Sequence, residues 1–218
     1  QGCSTGVNAY AYEDLPPYFI TAEAGPHGQI TPSGAVAVRY NALTNFVITA
    51  APYYHISLLH INGDLDFIAT GQGSYAVDWL PVNTPGTVTV TFAENLVDEF
   101  MPEWWLAQYG WTSPFSPVVD LDTDGDSMPT WAEYLAGSNP TNRESFFELT
   151  PVPGAPSGKF VVRWNSVADR VYDLLWSTNL ASGFAPLATG IPATPPVNVY
   201  TDQVNSVGQA FYSIRVRK

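Results

Sequence analysis

Hydrophobic positions recur every second residue along most of the chain, and this rhythm is interrupted once, near the middle. In TVTVTF, Val88, Val90 and Phe92 alternate with Thr87, Thr89 and Thr91, the pattern of a strand with one face on a core and the other in water. AVAVRY repeats it with Val36, Val38 and Tyr40 inward. The runs YFITAEA, NFVITAA, HISLLHI and SYAVDWL complete a set of short strands punctuated by GPHG, APY, NGD and GQG, whose Gly, Pro and Asn mark turns. Strands at this spacing predict a small antiparallel β-sandwich over residues 18–94.

The interruption covers residues 95–145. Val97, Phe100, Met101, Trp104, Trp105 and Tyr109 fall at helical spacing, with Pro102 and Glu103 suited to a first turn and Gly110 to the end. Trp131, Tyr134 and Leu135 give a second short helix, stopped by Gly137 and Pro140. Period-two patterning then returns over residues 146–218. KFVVRW turns Phe160, Val162 and Trp164 to one face, VYDLLWS turns Tyr172, Leu174 and Trp176, and FYSIRV turns Tyr212, Ile214 and Val216. VNVYTD lies between them, and PVPGAPSG reads as a long turn inside this module. The expected fold is mainly β: two small antiparallel β-sandwich modules joined by a short helical connector, with a leader over residues 1–17.

The stretch DTDGDSMPTWAE, residues 122–133, gives the connector a candidate chemistry. A Ca²⁺ ion takes six to eight oxygens at about 2.3–2.6 Å, and a loop supplies them from positions 1, 3, 5, 7, 9 and 12. With Asp122 first, Asp124 and Asp126 take the third and fifth places, and Met128 offers its backbone carbonyl at the seventh. Thr130 offers its hydroxyl or a bridging water at the ninth, and Glu133 closes the sphere at the twelfth from the first turn of the second helix. Starting at Asp120 would put Trp131 in the closing place, so Asp120 and Asn139 are auxiliary candidates only. Oxygen ligands without His or Cys favour Ca²⁺ over zinc or iron. The sixth position is usually Gly because the loop turns there with positive φ. Here Ser127 must accept that conformation, at about 1 kcal/mol. The first helix lies too far upstream for a helix pair that opens on binding, so a structural ion is expected rather than a sensor. The competing reading of the same residues is an acidic solvated turn.

Composition narrows the partners. Eight basic against twenty acidic residues leave a net charge of −12, which repels nucleic acid and anionic lipid. No run of apolar residues is long enough for a membrane span. Charged residues make up only 13% of the chain, so Ser, Thr, Asn, Gly and Pro must cover the surface, as in many secreted proteins. An extracellular or cell-surface location is expected, with any secretory signal removed or omitted from the sequence that starts at Gln1. Cys3, the single cysteine, has no internal partner; it reads as an exposed thiol, an intermolecular link or a lipidated residue after Gly2.

Three resemblances rest on the stretches just read. The run from FITAEAGPHGQITPSG to GTVTVTFAE resembles a divergent internalin-type B-repeat, a β module of bacterial surface proteins, across nearly the whole first segment. MPEWWLAQYG followed by DLDTDGDSMPTWAEYLAGSNPTN is similar to the calcium-loop segments of thrombospondin type-3 and dockerin modules. FVVRWNSVADRVYDLLWSTNLASGFAPLATG resembles the β-sandwich that often closes large secreted bacterial proteins. None of these resemblances implies an enzyme activity.

Catalytic signatures are absent from the sequence: there is no G-x-S-x-G, no H-E-x-x-H and no phosphate-cradling glycine loop. His55 and His60, five apart on one predicted strand, should face opposite ways, and His27 lies in a turn. Glycoside hydrolysis would require two of Glu23, Asp64, Asp66 and Asp78 to converge in space. Trp104, Trp105, Trp131, Trp164 and Trp176 are in phase with apolar neighbours and read as core or junction residues, whereas Trp79 and Trp111 stand beside turns and are candidate sugar-stacking platforms. The function expected is structural or adhesive, with homo-oligomers or polymers formed through the leader and exposed sheet edges. The alternative is a carbohydrate-binding or anchoring region of a secreted polysaccharide-degrading enzyme.

Overall fold

The computed structural model describes residues 16–80, 84–203 and 209–218. The leader's residues 1–15, with Cys3, therefore lie outside the described residues. The chain divides into two compact units, one built on residues up to Leu96 with Pro102–Trp105, the other on Val97–Met101 with Leu106–Lys218. The segment expected to be a connector is thus shared between them rather than standing alone.

Among its described residues the N-terminal unit holds eight strands: β1 (Tyr18–Ala24), β2 (Gly28–Thr31), β3 (Gly34–Val38), β4 (Thr44–Ala50), β5 (Tyr54–Ile61), β6 (Asp64–Leu65), β7 (Ser74–Trp79) and β8 (Gly86–Glu94). They form one sheet in the order β3-β1-β8-β5-β6 and a second in the order β2-β4-β7. Alternate residues of both sheets meet in one core. Ile20, Ile56, Leu59 and Val88 of the first sheet and Phe46 and Ile48 of the second are fully buried. This is the sandwich that the alternation predicts, and Val88 and Val90 are inward as expected. β2 and β6 were not legible, because four residues between two turn signals and a two-residue strand carry no periodicity. One pairing departs from the antiparallel rule: β1 and β8 run parallel, with Ile20 opposite Gly86 and Ala24 opposite Val90.

β5 carries a bulge between Ile56 and Leu58. A bulge inserts one residue and shifts the alternation, so Ile56 and Leu59, three apart, are both fully buried. The same shift corrects the expectation for the histidines. His55 pairs with Ala93 and His60 with Thr89, positions of β8 that alternate with buried Val88 and Val90. Both imidazoles therefore share the outer face, about 13 Å apart along the strand at the usual rise, too far to hold one ion.

Two glycines of this unit sit under aromatic rings. A Cβ at Gly28 would collide with the Phe92 ring, and one at Gly86 with the Trp79 ring and Asn62 Oδ1. The missing side chain is what lets each ring lie against backbone.

After β8, Leu96–Val97 (β9) and Met101–Pro102 (β10) are short strand pieces, followed by α1 (Glu103–Ala107). The helical spacing of Val97, Phe100 and Met101 does not come from a helix. Asp98 and Glu99 have φ of 50° and 66°, left-handed values that no continuing helix admits. Val97 and Met101 are buried from β9 and β10, on either side of the turn that these residues make.

The C-terminal unit contains α2 (Thr130–Ala136) and six strands: β11 (Thr150–Pro151), β12 (Lys159–Asn165), β13 (Val171–Ser177), β14 (Ala185–Pro192), β15 (Val197–Gln203) and β16 (Phe211–Arg217). Two antiparallel sheets, β11-β12-β15 and β14-β13-β16, close on Val162, Trp164, Tyr172 and Leu174. PVPGAPSG is a turn inside the module, since Thr150 pairs with Arg163 and Pro151 with Val162 on either side of it. Gly137 ends α2 with φ 78° and its N–H bonded to the Glu133 carbonyl, the left-handed C-cap that the sequence indicates.

Candidate metal centre

The acidic loop is closed at its base before any ion is considered. Thr130 donates both its N–H and its hydroxyl to the Leu121 carbonyl, at 2.8 and 2.9 Å, and Trp131 donates its N–H to the Val119 carbonyl at 3.0 Å. Residues entering the loop are thereby fastened to the first turn of the helix leaving it. Inside the ring, Asp122 organises the backbone. Its Oδ1 accepts from the N–H groups of Gly125 and Asp126 at 2.8 and 3.2 Å, and its Oδ2 accepts from Ser127 at 3.0 Å. Asp124 Oδ1 accepts from Asp126 N–H at 3.2 Å, and Asp126 Oδ1 from Met128 N–H at 2.7 Å. Short acidic side chains bonding to backbone a few residues on are the usual way a tight turn replaces ladder bonds.

Curling the chain this tightly requires left-handed residues. Gly125 has φ 78° and Ser127 φ 80°. Ser127 adopts the conformation that the loop spacing demands at the sixth position, despite its Cβ.

The result brings Asp122, Asp124 and Asp126 together, with one carboxylate oxygen from each within 4.8 Å of the others. Oxygens sharing one Ca²⁺ at about 2.3–2.6 Å cannot be more than about 5 Å apart, so this spacing fits a common cation. Glu133 stands outside that group of three but beside it. It is fully buried, its Oε1 accepts from the Ser138 hydroxyl at 3.3 Å, and its Oε2 has no hydrogen-bond partner among the described residues. Asp124 Oδ2 and Asp126 Oδ2 are buried without partners too. Burial first, then the charges of Asp124 and Asp126, push the Glu133 carboxyl up to about 7. Buried carboxylate oxygens are ordinarily satisfied. Three orphaned oxygens facing mutual repulsion fit a site whose missing element is positive.

The remaining candidates divide. Met128 is tied into the loop by its N–H. Thr130 is fully buried with its proton committed to Leu121, which leaves only the hydroxyl lone pairs to offer. Asn139 Oδ1 accepts from the N–H and hydroxyl of Thr141 at 3.0 and 2.8 Å, so its side chain serves its own turn. Asp120 is exposed and does not join the group. Sequence reasoning missed Ser138, because a hydroxyl bonded to Glu133 from beyond the helix end has no motif position.

The other chemistries considered from sequence come out differently. Glu23 and Asp78 lie exposed on different sheets, Asp78 accepting from Asn45 at 2.7 Å, and Asp66 accepts from Ile68 N–H and the Tyr75 hydroxyl. Among the described residues Glu23, Asp64, Asp66 and Asp78 form no close group of three or more. Trp79 is 4% exposed, edge-on to Phe46 with ring centres 6.4 Å apart, and cannot present a face to a sugar. Trp105 and Trp164 are buried in the core, whereas Trp104 and Trp131 are 37% and 39% exposed and lie outside it. Trp104 donates its indole N–H to Glu94 at 2.9 Å.

No protein-family model, no curated protein and no solved structure matches this chain. Its function is therefore read from the chemistry of its own residues. No helix among the described residues is long and apolar enough to cross a membrane.

Proposed function

We propose that this chain is a non-catalytic, extracellular structural or adhesive protein whose C-terminal unit is stabilised by one Ca²⁺ ion. The carboxylates of Asp122, Asp124, Asp126 and Glu133 hold the ion, with the Met128 carbonyl and Thr130, directly or through water, completing the sphere. The observation that carries this reading is the fully buried Glu133, with one orphaned oxygen beside three converging aspartates. When bound, a cation neutralises the repulsion among these groups and supplies the missing partner. The ion is structural: the loop is already clamped at its base, and nothing in its geometry provides for opening.

The surface-protein half of the reading is supported by the resemblance to B-repeat and calcium-loop modules and by the sparse charge of the chain. Assembly into oligomers or filaments is proposed through the leader and open sheet edges. Among the described residues β3 pairs with β1 alone and β7 with β4 alone, so each offers a side on which a strand can add.

Calorimetric titration of the full chain with CaCl₂ tests the ion: one site is expected, abolished or much weakened in Glu133→Gln. Absence of binding in the unaltered chain would leave the cluster an acidic turn. Electron microscopy of the chain with residues 1–14 deleted tests the leader, and normal polymers from that variant would exclude it from assembly.

A further inference from the structure

Within the C-terminal unit a cleft of about 510 Å³ wraps the end of β12, a volume in the range of small-ligand sites. Phe146 contributes its exposed aromatic surface, and Arg163, Asn165, Glu144 and Glu148 its polar groups. We propose that this cleft binds a neutral oligosaccharide.

The polar groups are of both kinds. Glu144 and Glu148 accept, Arg163 donates, and Asn165 does either, which suits vicinal hydroxyls that donate and accept at once. All four are exposed at the cleft. Phe146 is 47% exposed, an apolar face of the kind against which a sugar ring packs.

Charge selects against acidic sugars. One arginine faces two glutamates, on a chain carrying −12 overall, so an anionic ligand is repelled. Backbone pairing selects against an extended peptide. Arg163 pairs with Thr150 of β11 on one side and Val199 of β15 on the other, and Asn165 pairs with Val197. At Arg163 both edges of β12 are taken, so a peptide cannot add there as a strand. Recognition must come from side chains, which matches hydroxyl-rich ligands.

The proposal deepens the adhesive reading and does not depend on the ion, whose calorimetric test is separate, so the two fail independently. The full chain, in calcium, is screened against neutral cello-, xylo-, manno- and malto-oligosaccharides, and hits are measured by calorimetry. At least one series is expected to bind. Arg163→Ala and Asn165→Ala, both exposed and tolerant of substitution, are each expected to weaken it tenfold or more, while Trp104→Ala leaves it unchanged. No binding to any series would overturn the proposal. So would binding that both cleft variants leave intact, or a synthetic peptide of residues 1–17 that occupies the cleft in place of sugar.

Discussion

Arg170 caps the helix that carries Glu133 through Tyr134: its Nη2 donates to the Tyr134 carbonyl at 3.2 Å, and its guanidinium stands 4.8 Å from the centre of the Tyr134 ring. Its Nε also donates to the Leu135 carbonyl at 3.2 Å, and the residue is only 5% exposed. The last carbonyls of a helix have no partner within it, and a cation is favoured there. Arg170→Ala strands both carbonyls and is expected to destabilise the C-terminal unit by about 2–3 kcal/mol. Arg170→Lys should recover only part, because an ammonium lacks the two-pronged geometry. Thermal unfolding of the three chains checks the order.

Removing calcium should loosen residues 118–140 while both sandwiches persist. An ion held with a dissociation constant of roughly 0.1–1 mM in about 1 mM calcium contributes on the order of 0.4–1.4 kcal/mol, small against a whole unit but decisive for one loop. Hydrogen exchange with and without chelator should differ at Gly125–Met128 and stay constant in β8 and β13. Unchanged exchange in the loop would count against the ion.

The calcium-free chain should lose stability as pH rises. Glu133 has a folded carboxyl raised to about 7 by burial and by Asp124 and Asp126. A raised carboxyl contributes stability that is present below its unfolded value near 4.3 and is lost as pH climbs through the folded one. Melting in chelator should therefore weaken between about pH 4.5 and 7. Glu133→Gln, which cannot ionise, should flatten the slope.

Ser127→Gly should tighten calcium binding. Ser127 holds φ 80°, a left-handed strain of about 1–2 kcal/mol that glycine avoids. Glycine's larger unfolded-state freedom offsets part of this, at about 0.4–1 kcal/mol. The net gain expected is a few tenths of a kcal/mol to about 1 kcal/mol, read as up to about a fivefold lower dissociation constant. Ser127→Val should move the other way.

In the N-terminal unit, Gly86→Ala should be costly although it adds a single methyl. That Cβ would collide with the Trp79 ring and Asn62 Oδ1, and Trp79 is already packed edge-on to Phe46. Overpacking of this kind costs about 1–3 kcal/mol. Denaturant unfolding should show the loss in the unit holding β8, with calcium binding unchanged.

Local pattern fixed much of this chain in advance. Period-two alternation is a property of neighbouring residues, so Val88, Val90, Val162 and Trp164 could be turned inward from their sequence alone. The loop spacing likewise named Asp122, Asp124 and Asp126 and required a left-handed Ser127, because ligand order and backbone curl are set within a dozen residues. Tertiary structure decided whatever depends on distant partners. The bulge in β5 that moved His55 and His60 to one face, the parallel β1–β8 pair, the rings over Gly28 and Gly86 and the exposure of Trp104 and Trp131 all arise from contacts between segments far apart in sequence. The burial that leaves Glu133 without a partner is of the same kind, for the spacing could place a carboxylate on the helix, but only packing could take it out of water.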